Sequence, residues 1–237
     1  MKEDILEVSL KDLEKIVQRT KRFGLNPVVI GGYAVRAYTR GYRYTKDIDL
    51  VILKKELGRL IALLKSLGYT IKETKFGLSG NKKLNGGFID LHISFGDVWD
   101  ISTNNKYPVD EILKGSKRMK ISGFFEAGRK IKIKISVASL EDLLILKLMT
   151  KGREKDVVDS ISLIIDRWDE LNLENFSSKC SKAKLSKHIR ERILRLIGFI
   201  RSGKARKIWL YVTGQRLMRK TEMDLIKHLR KMESVVK

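Results

Sequence analysis

Two short motifs decide the fold of this chain: Ile30-Gly31-Gly32 and, after the fourteen residues 33–46, Asp47-Ile48-Asp49-Leu50. The first motif reads as the end of a short buried strand that stops at two glycines, and the residues after the glycines favour a helix. The second motif begins another apolar strand. Because side chains two apart in a strand point to the same face, we expect the two aspartates to present their carboxylates side by side.

The paired carboxylates predict a metal site. Two anions at that separation repel one another, which costs folding free energy unless a cation lies between them, and a hard divalent ion with oxygen ligands suits them. Asp90 lies within another apolar strand pattern, 88–93, and needs a partner in the same way. If the two strands are neighbours, the three carboxylates can hold two metal ions for phosphoryl transfer. Asp97 and Asp100 are alternatives for the third acid.

The glycine pair predicts a phosphate site beside these acids. Two glycines between a strand and a helix leave backbone N–H groups unobstructed at the positive end of a helix dipole. By itself Gly31-Gly32 would be an ordinary turn, but next to the aspartate pair it favours a place where triphosphate oxygens approach. Arg36, Arg40 and Arg43 in the spacer are further candidates for phosphate contact.

The flanking sequence alternates helical and strand patterns, which predicts a mixed α/β (α+β) fold. Lys130–Val137 alternates Lys and Ile and is expected to be a half-exposed strand. Residues between the strands predicted at 69–75 and 87–95 read as a loop with a turn at Asn85-Gly86. The predicted helices cover roughly residues 10–23, 33–38, 57–64, 143–149, 157–168, 189–200 and 217–232.

Positive charge is the strongest compositional signal, with 50 Lys and Arg against 28 acids and a formal net charge of +22. Residues 178–237 contain eighteen of these cations and four acids, a net charge of +14. Excess basic charge on one segment is typical of proteins that bind a polyanion, because neutralised phosphates release counterions. The alternative is a heat-adapted protein whose helices carry solvated Lys and Arg.

Length and composition limit the remaining classes. A chain of 237 residues, 43% hydrophobic and 33% charged, suits a globular catalytic domain at 1–177 followed by a basic helical region at 178–237. No apolar run approaches the roughly 18 residues of a membrane span, and Met1–Asp4 do not begin a secretory signal, so we expect a soluble, cytoplasmic protein. The lone Cys180 and three scattered histidines favour neither a disulfide nor a zinc cluster.

These motifs resemble the DNA polymerase beta superfamily of nucleotidyltransferases, whose signature is Gly-Gly or Gly-Ser, then Asp-apolar-Asp-apolar and a later third Asp. Within it, the chain is most similar to AbiEii-type toxins and related minimal nucleotidyltransferases, which share a Thr- or Ser-x-Asp-Ile-Asp core, here Thr45–Asp49. That group also carries a lysine in a downstream helix, then Arg-x-Lys-Asp-x-x-Asp. This chain has Lys147 and Arg153–Asp159. The resemblance covers roughly residues 25–165 and is specific because all elements occur in order.

The resemblance implies a nucleotidyltransferase-type mixed β-sheet flanked by helices, and it implies a role for each matching residue. Mg²⁺, with Mn²⁺ as an alternative, would be bound by Asp47, Asp49 and Asp90. Gly31 and Gly32 would admit the triphosphate through backbone contacts alone, since Gly32 stands where many members have serine. Lys147 would offset triphosphate charge, and Asp156 would orient that lysine or bind the nucleotide.

Simpler interpretations remain open for several of these residues. The aspartate pair could be solvated at a strand end, and Asp90 could form an ordinary ion pair with a lysine. Lys147 could be a solvated lysine, and Arg153 and Asp156 could pair on a helix surface. His92 shares a strand face with Asp90 and either lines the site or is a structural histidine.

We therefore predict a metal-dependent nucleotidyltransferase that transfers a nucleoside monophosphate from a nucleoside triphosphate such as ATP. The basic region favours an RNA acceptor, with tRNA as a candidate and a protein hydroxyl as the second choice. The resemblance also implies the toxin of a toxin–antitoxin pair, with an antitoxin protein as partner. The rival prediction, from a different class, is a catalytically inactive RNA- or partner-binding module on the same fold.

Overall fold

The computed structural model describes residues 5–84, 87–124 and 130–236, so Met1–Asp4 and the predicted turn at Asn85-Gly86 lie outside the described residues. Within the described residues, seven strands form one mixed sheet, and two form a separate two-stranded sheet. The strands are β1 (Val28–Ile30), β2 (Ile48–Val51), β3 (Thr70–Thr74), β4 (Gly77–Leu84), β5 (Gly87–Ser94), β6 (Asp97–Asp100), β7 (Asn105–Pro108), β8 (Lys117–Phe124) and β9 (Lys130–Val137).

The large sheet has the order β3-β4-β5-β2-β1-β9-β8. Its centre is mixed, since β1 runs antiparallel to β2 and parallel to β9, while β2 runs parallel to β5. The outer pairs β3–β4, β4–β5 and β8–β9 are antiparallel. The two strands that carry the candidate acids, β2 and β5, therefore lie side by side in the middle of the sheet.

Register assigns each side chain of the sheet to one of two faces, because aligned residues on neighbouring strands point the same way. Asp49 of β2 aligns with His92 of β5, and Asp90 points to the same side as His92. Ile48 and Leu50 point to the opposite face, where both are fully buried. We call the side that carries Asp49, Asp90 and His92 the carboxylate face.

Helices pack against strands of the sheet unit, as α1 (Ile5–Arg22) does against β5 and β9, and helices make up the C-terminal part of the chain. In α8, for example, Ile193 and Ile197 recur at helical spacing and are buried. Among the described helices, none has the length and apolar character that a bilayer crossing requires. The helices are α1 (Ile5–Arg22), α2 (Gly31–Tyr38), α3 (Leu57–Ser66), α4 (Val109–Gly115), α5 (Leu140–Leu148), α6 (Glu154–Arg167), α7 (Leu173–Lys182), α8 (Ser186–Arg201), α9 (Lys204–Thr213) and α10 (Arg219–Val235).

The chain divides into two compact units. The sheet unit consists of Met1–Ala37, Tyr44–Val98 and Pro108–Ser139, and the helical unit consists of Tyr38–Arg43, Trp99–Tyr107 and Leu140–Lys237. Helices α5 and α6 pack with the C-terminal helices in the helical unit. The predicted division into 1–177 and 178–237 concerns function and stays a prediction.

The prediction of a mixed sheet flanked by helices, with a helical C-terminal part, is confirmed. The prediction of a loop before β5 was wrong, because residues 77–84 form β4. Two glycines, Gly77 and Gly80, hide this strand in the sequence, since glycine is depleted in strands. A Cβ at position 80 would crowd the side chains of Ile71 and Leu91, so the packing of the sheet requires glycine there.

Candidate active site

The candidate metal-binding acids lie on adjacent strands of the sheet. The parallel register of β2 and β5 aligns Ile48 with Leu91 and Asp49 with His92. Continued by one residue, this register brings Asp47 opposite Asp90. The structure thus brings the three acids to one face of the sheet unit, although their metal-binding role stays a prediction.

Two of these carboxylates have hydrogen-bond partners on the same face. Asp49 Oδ1 lies 3.2 Å from His92 Nδ1, and Asn81 Nδ2 donates to Asp90 Oδ1 at 3.0 Å. The hydrogen bond to Asp49 raises the pKa of His92 above its usual value against the opposing effect of burial, and the charges of Asp47 and Asp90 add to the rise. His92 therefore lines the candidate site. Asn81 was missed because its strand was predicted as a loop.

Gly31 holds the beginning of α2 against Asp49. Its φ is +67°, and an ideal Cβ would overlap Asp49 Oδ2 and lie 2.7 Å from Asp49 Cγ. Both the backbone conformation and the available space therefore exclude a side chain. The bare glycine leaves the carboxylate directly beside the N-terminal end of a helix, where backbone N–H groups attract anions.

The segment before Asp47 is anchored by α1. The buried hydroxyl of Ser9 donates to the backbone oxygen of Lys46 and accepts a hydrogen bond of 3.0 Å from the Tyr33 hydroxyl. Since Tyr33 belongs to α2, one hydroxyl group ties two helices to the residue that precedes the aspartate pair. The sequence offered no signal for this contact, because 37 residues separate Ser9 from Lys46.

The donor set suits a hard divalent cation, since three carboxylates supply oxygen ligands. Among the described residues, no three side chains of His, Cys, Asp or Glu lie close enough together to hold an ion. Asp49 and Asp90 are turned toward His92 and Asn81. To bring three of these carboxylates onto one ion, their side chains would have to rotate about χ1 and χ2.

Lys147 lies on α5 in the helical unit, where it is buried with an exposure of 8%. Its Nζ lies 3.0 Å from Asp156 Oδ1 and 2.8 Å from Asp159 Oδ2. Arg153 Nε donates to Asp156 at 2.7 Å, and Arg43 Nε and Nη2 both donate to Asp159 at 2.7 Å. The interpretation of Lys147 as a solvated lysine is wrong. Asp156 positions its ammonium group, whereas contact with a nucleotide stays a prediction.

Coulombic attraction keeps this buried network ionised. Burial alone would lower the pKa of Lys147, but the carboxylates of Asp159 and Asp156 outweigh it and raise that pKa above its usual value. Burial alone would raise the pKa of Asp156, but Lys147 and Arg153 bring it below its usual value. Lys147 is therefore a permanent cation at neutral pH, as a residue that attracts phosphate must be.

Lys147 and Asp156 also line a pocket of the helical unit, together with Gly152, Arg192 and Arg195. Gly152 has a φ of +86°, and a Cβ there would overlap Arg192 Nη2 and lie 3.2 Å from Arg192 Cζ. Arg192 Nε is buried without a hydrogen-bond partner in the described part of the chain. The pocket wall is thus cationic. No role was predicted for Arg192, because it lies far along the chain from Lys147.

Two arginines of the spacer, which were expected to reach phosphate, are bound by acids of α6. Arg43 pairs with Asp159, and the backbone N–H of Arg40 donates to Asp166 Oδ2 at 2.8 Å. Asp100, the alternative third acid, accepts hydrogen bonds from the hydroxyls of Ser102 and Thr103. Arg40, Arg43 and Asp100 all belong to the helical unit.

Comparisons with known proteins agree with the motifs. A family model described as "Nucleotidyl transferase AbiEii toxin, Type IV TA system" matches residues 16–234. The fold is similar to that of a candidate nucleotidyltransferase from H. pylori, with a TM-score of 0.55, 16% identity, and coverage of 100% of this chain and 97% of that one. It is also similar to JHP933 from Helicobacter pylori, with a TM-score of 0.53, 16% identity, and coverage of 98% and 93%. No curated protein matches the sequence at a significant level.

Proposed function

Because the chain belongs to the AbiEii nucleotidyl transferase toxin family and is therefore a nucleotidyltransferase, we propose that it transfers a nucleoside monophosphate from a triphosphate to RNA. The proposed cofactor is Mg²⁺ or Mn²⁺, and the proposed location is the cytoplasm. The observation that carries the proposal is the convergence of Asp47, Asp49 and Asp90 beside the bare backbone of Gly31. The basic charge of the C-terminal part supports the proposed RNA acceptor, and the family supports the proposed role as the toxin of a toxin–antitoxin pair.

In the proposed reaction, an acceptor hydroxyl attacks the α-phosphorus in line, the bond to the β-phosphate oxygen breaks, and pyrophosphate leaves. Bound Mg²⁺ would supply charge stabilisation for the attacking and leaving oxygens. Asp47, Asp49 and Asp90 would hold it, and one of these carboxylates accepts the proton of the attacking hydroxyl. The backbone at Gly31-Gly32 receives phosphate oxygens. A nucleotide-binding role for Lys147 of the helical unit is a separate proposal, in which its ammonium group offsets phosphate charge.

The nucleotidyltransferase activity is tested by incubating the protein with each labelled nucleoside triphosphate, Mg²⁺ and total RNA. We expect wild-type protein to label RNA and the double variant Asp47→Ala/Asp49→Ala to leave it unlabelled, because the variant lacks two of three acids. Gel separation of RNA from protein identifies the acceptor. Label on the protein instead of RNA would exclude the RNA acceptor but retain the enzyme.

The rival function gives the opposite result in the same assay. A catalytically inactive RNA- or partner-binding module would bind RNA without labelling it or itself under any condition that preserves folding.

The toxin role has its own measurement, the growth rate of cells that express the protein. Growth should slow with the wild-type protein and not with the double aspartate variant, and co-expression of an antitoxin should restore it.

A cluster of exposed cations in the helical unit is the first candidate for RNA contact. Arg201, Lys204 and Lys207 are exposed around the junction of α8 and α9, whereas Arg206 is held by Glu222. Replacing Arg201, Lys204 and Lys207 with glutamate should weaken RNA binding. The slope of log affinity against log salt should flatten by at least about 0.7 for each cation lost.

The salt dependence is measured by fluorescence anisotropy with a labelled single-stranded RNA between 50 and 300 mM salt, roughly the range in which counterion release is resolved. Arg206→Glu is left out of this variant because it would also break the ion pair between Arg206 and Glu222. An unchanged slope in the triple variant would show that this cluster does not contact the acceptor.

A further inference from the structure

Strands β8 and β9 form a two-stranded ribbon at the edge of the large sheet, and its described side chains include four cations on the exposed side. The antiparallel register aligns Lys120 with Lys134, and it aligns Arg118 with Ser136 and Ser122 with Lys132. Aligned residues and their neighbours two positions away point to one face, so all four cations share it. They are exposed, while the alternate residues such as Ile121, Ile133 and Ile135 are buried. We call Arg118, Lys120, Lys132 and Lys134 the basic ribbon.

Like charges face one another within the basic ribbon. Lys120 and Lys134 are direct cross-strand partners, and like charges in that relation destabilise a sheet. Over residues 5–84, 87–124 and 130–236, no carboxylate forms an ion pair with any of the four cations. A charge arrangement that costs stability in the free protein is relieved when an anion binds to it.

The basic ribbon lies on the carboxylate face. His92 of β5 aligns with Asp49 of β2. On the opposite face of the sheet, Leu50 of β2 aligns with Val29 of β1, and Val29 aligns with Val137 of β9. Val137 and Leu50 therefore share the buried side, and the lysines at even positions of β9 share the side of Asp49. Two strand spacings separate β2 from β9, which is roughly 10 Å. On that face Val28 and Ile30 of β1 are buried between the acids and the cations. Lys134 also precedes the position level with Asp49 by four residues, about 13 Å along the strand.

The end of the basic ribbon opens into a cleft of about 280 Å³. Lys21 of α1 joins Arg118 and Lys134 in lining it, and Gln18 and Asn26 supply polar side chains. Lys21 is exposed and forms no ion pair with another described residue. The cleft offers three positive charges with hydrogen-bonding amides, which suits a phosphate group.

We infer that the basic ribbon binds the phosphate backbone of the acceptor RNA as a single strand, with one phosphate in the cleft. This inference rests on the proposed RNA acceptor. Same-face residues along a strand are about 6.8 Å apart, so the cations form a track of charges rather than a single anion site. A positively charged surface that follows the backbone is the usual way to hold a single strand without reading its sequence.

The test compares two double variants that each remove two exposed lysine charges from the sheet unit. Lys120→Gln/Lys134→Gln alters the basic ribbon, and Lys55→Gln/Lys65→Gln is the matched control. We expect the ribbon variant to bind a short single-stranded RNA about tenfold more weakly, with a salt slope flatter by about 1.4, since each cation contributes about 0.7. The control should bind as the wild type does. Melting temperature should stay level or rise in the ribbon variant, because a like-charge pair is removed.

Two further measurements separate the acceptor from other anions. Calorimetric binding of a non-hydrolysable ATP analogue should be equal in both variants, and a loss in the ribbon variant alone would assign the ribbon to the triphosphate and overturn the inference. If polyglutamate displaces labelled RNA as effectively as unlabelled RNA of the same total charge does, the inference is overturned in favour of an acidic protein partner. If wild type labels RNA and the ribbon variant keeps its affinity and slope, the inference fails while the proposed function stands. If wild type labels no RNA, both fail.

Discussion

Gly31→Ala is expected to lower the rate of nucleotidyl transfer about 100-fold and to lower the free energy of unfolding. An alanine at φ +67° costs about 1–2 kcal/mol in backbone strain. The added Cβ also overlaps Asp49 Oδ2, so the carboxylate or the start of α2 must move. A displacement of about 1 Å at a reacting centre can lower the rate about 100-fold. Transfer of label from a nucleoside triphosphate and a denaturant titration measure the two effects.

Gly24→Ala is the matched control for this prediction. Gly24 has nearly the same φ, +64°, but an ideal Cβ there meets nothing within 4 Å. Both variants therefore carry the same backbone cost, and only Gly31→Ala disturbs Asp49. We expect the two to lose comparable stability from strain, and transfer to persist in Gly24→Ala. Equal activity in the two variants would mean that the contact between Gly31 and Asp49 does not matter for transfer.

The strands of the acidic motif could be predicted from sequence because their signal is local. Ile48-Asp49-Leu50 alternates apolar and acidic residues, and this period of two by itself places the acid on a separate face from its neighbours. That prediction assumed that β2 and β5 are neighbours, and the sequence could not establish this. Strand order depends on contacts between residues about 40 positions apart, and no local pattern encodes it.

The partners of the candidate site residues were harder to predict for the same reason. Asn81 reaches Asp90 only because β4 pairs with β5, and its strand was hidden by glycines. Lys147 could be recognised in its motif, but its enclosure by two acids and a distant Arg43 depends on how α5 and α6 pack. The like-charged pair of the basic ribbon was likewise invisible, because its first strand, β8, was not predicted.

Lys147→Met is expected to destabilise the protein by about 3–5 kcal/mol and to weaken binding of the nucleoside triphosphate. Removing one partner of a buried ion pair leaves uncompensated charge in the interior. Asp156 and Asp159 would keep Arg153 and Arg43 as partners, which favours the lower part of this range. Thermal unfolding and calorimetric titration with a non-hydrolysable ATP analogue measure stability and binding separately.

The stability loss should depend on pH in a direction set by the pKa shifts. Asp156 has a lowered pKa in the folded protein, so its contribution is present above its unfolded pKa and is lost as pH falls through the folded value. Lys147 has a raised pKa, so its contribution persists until pH rises through that value, above 10.5. The difference between wild type and Lys147→Met should therefore be largest near neutral pH and should shrink in acid below about pH 4.

Lys179→Met separates the structural contribution of Lys147 from a role at the nucleotide. Lys179 is a second buried lysine of the helical unit, with an exposure of 6%, and its Nζ lies 2.6 Å from Asp142 Oδ1. Its loss should destabilise the protein by a similar amount, because a buried carboxylate is deprived of its cation in the same way. If Lys147 offsets triphosphate charge, only Lys147→Met weakens nucleotide binding under conditions where both variants are folded. Equal affinities in the two variants would assign Lys147 to the stability of the helical unit alone, and the cation that faces the triphosphate would then have to be sought elsewhere, with Arg192 of the adjoining pocket as the first residue to replace.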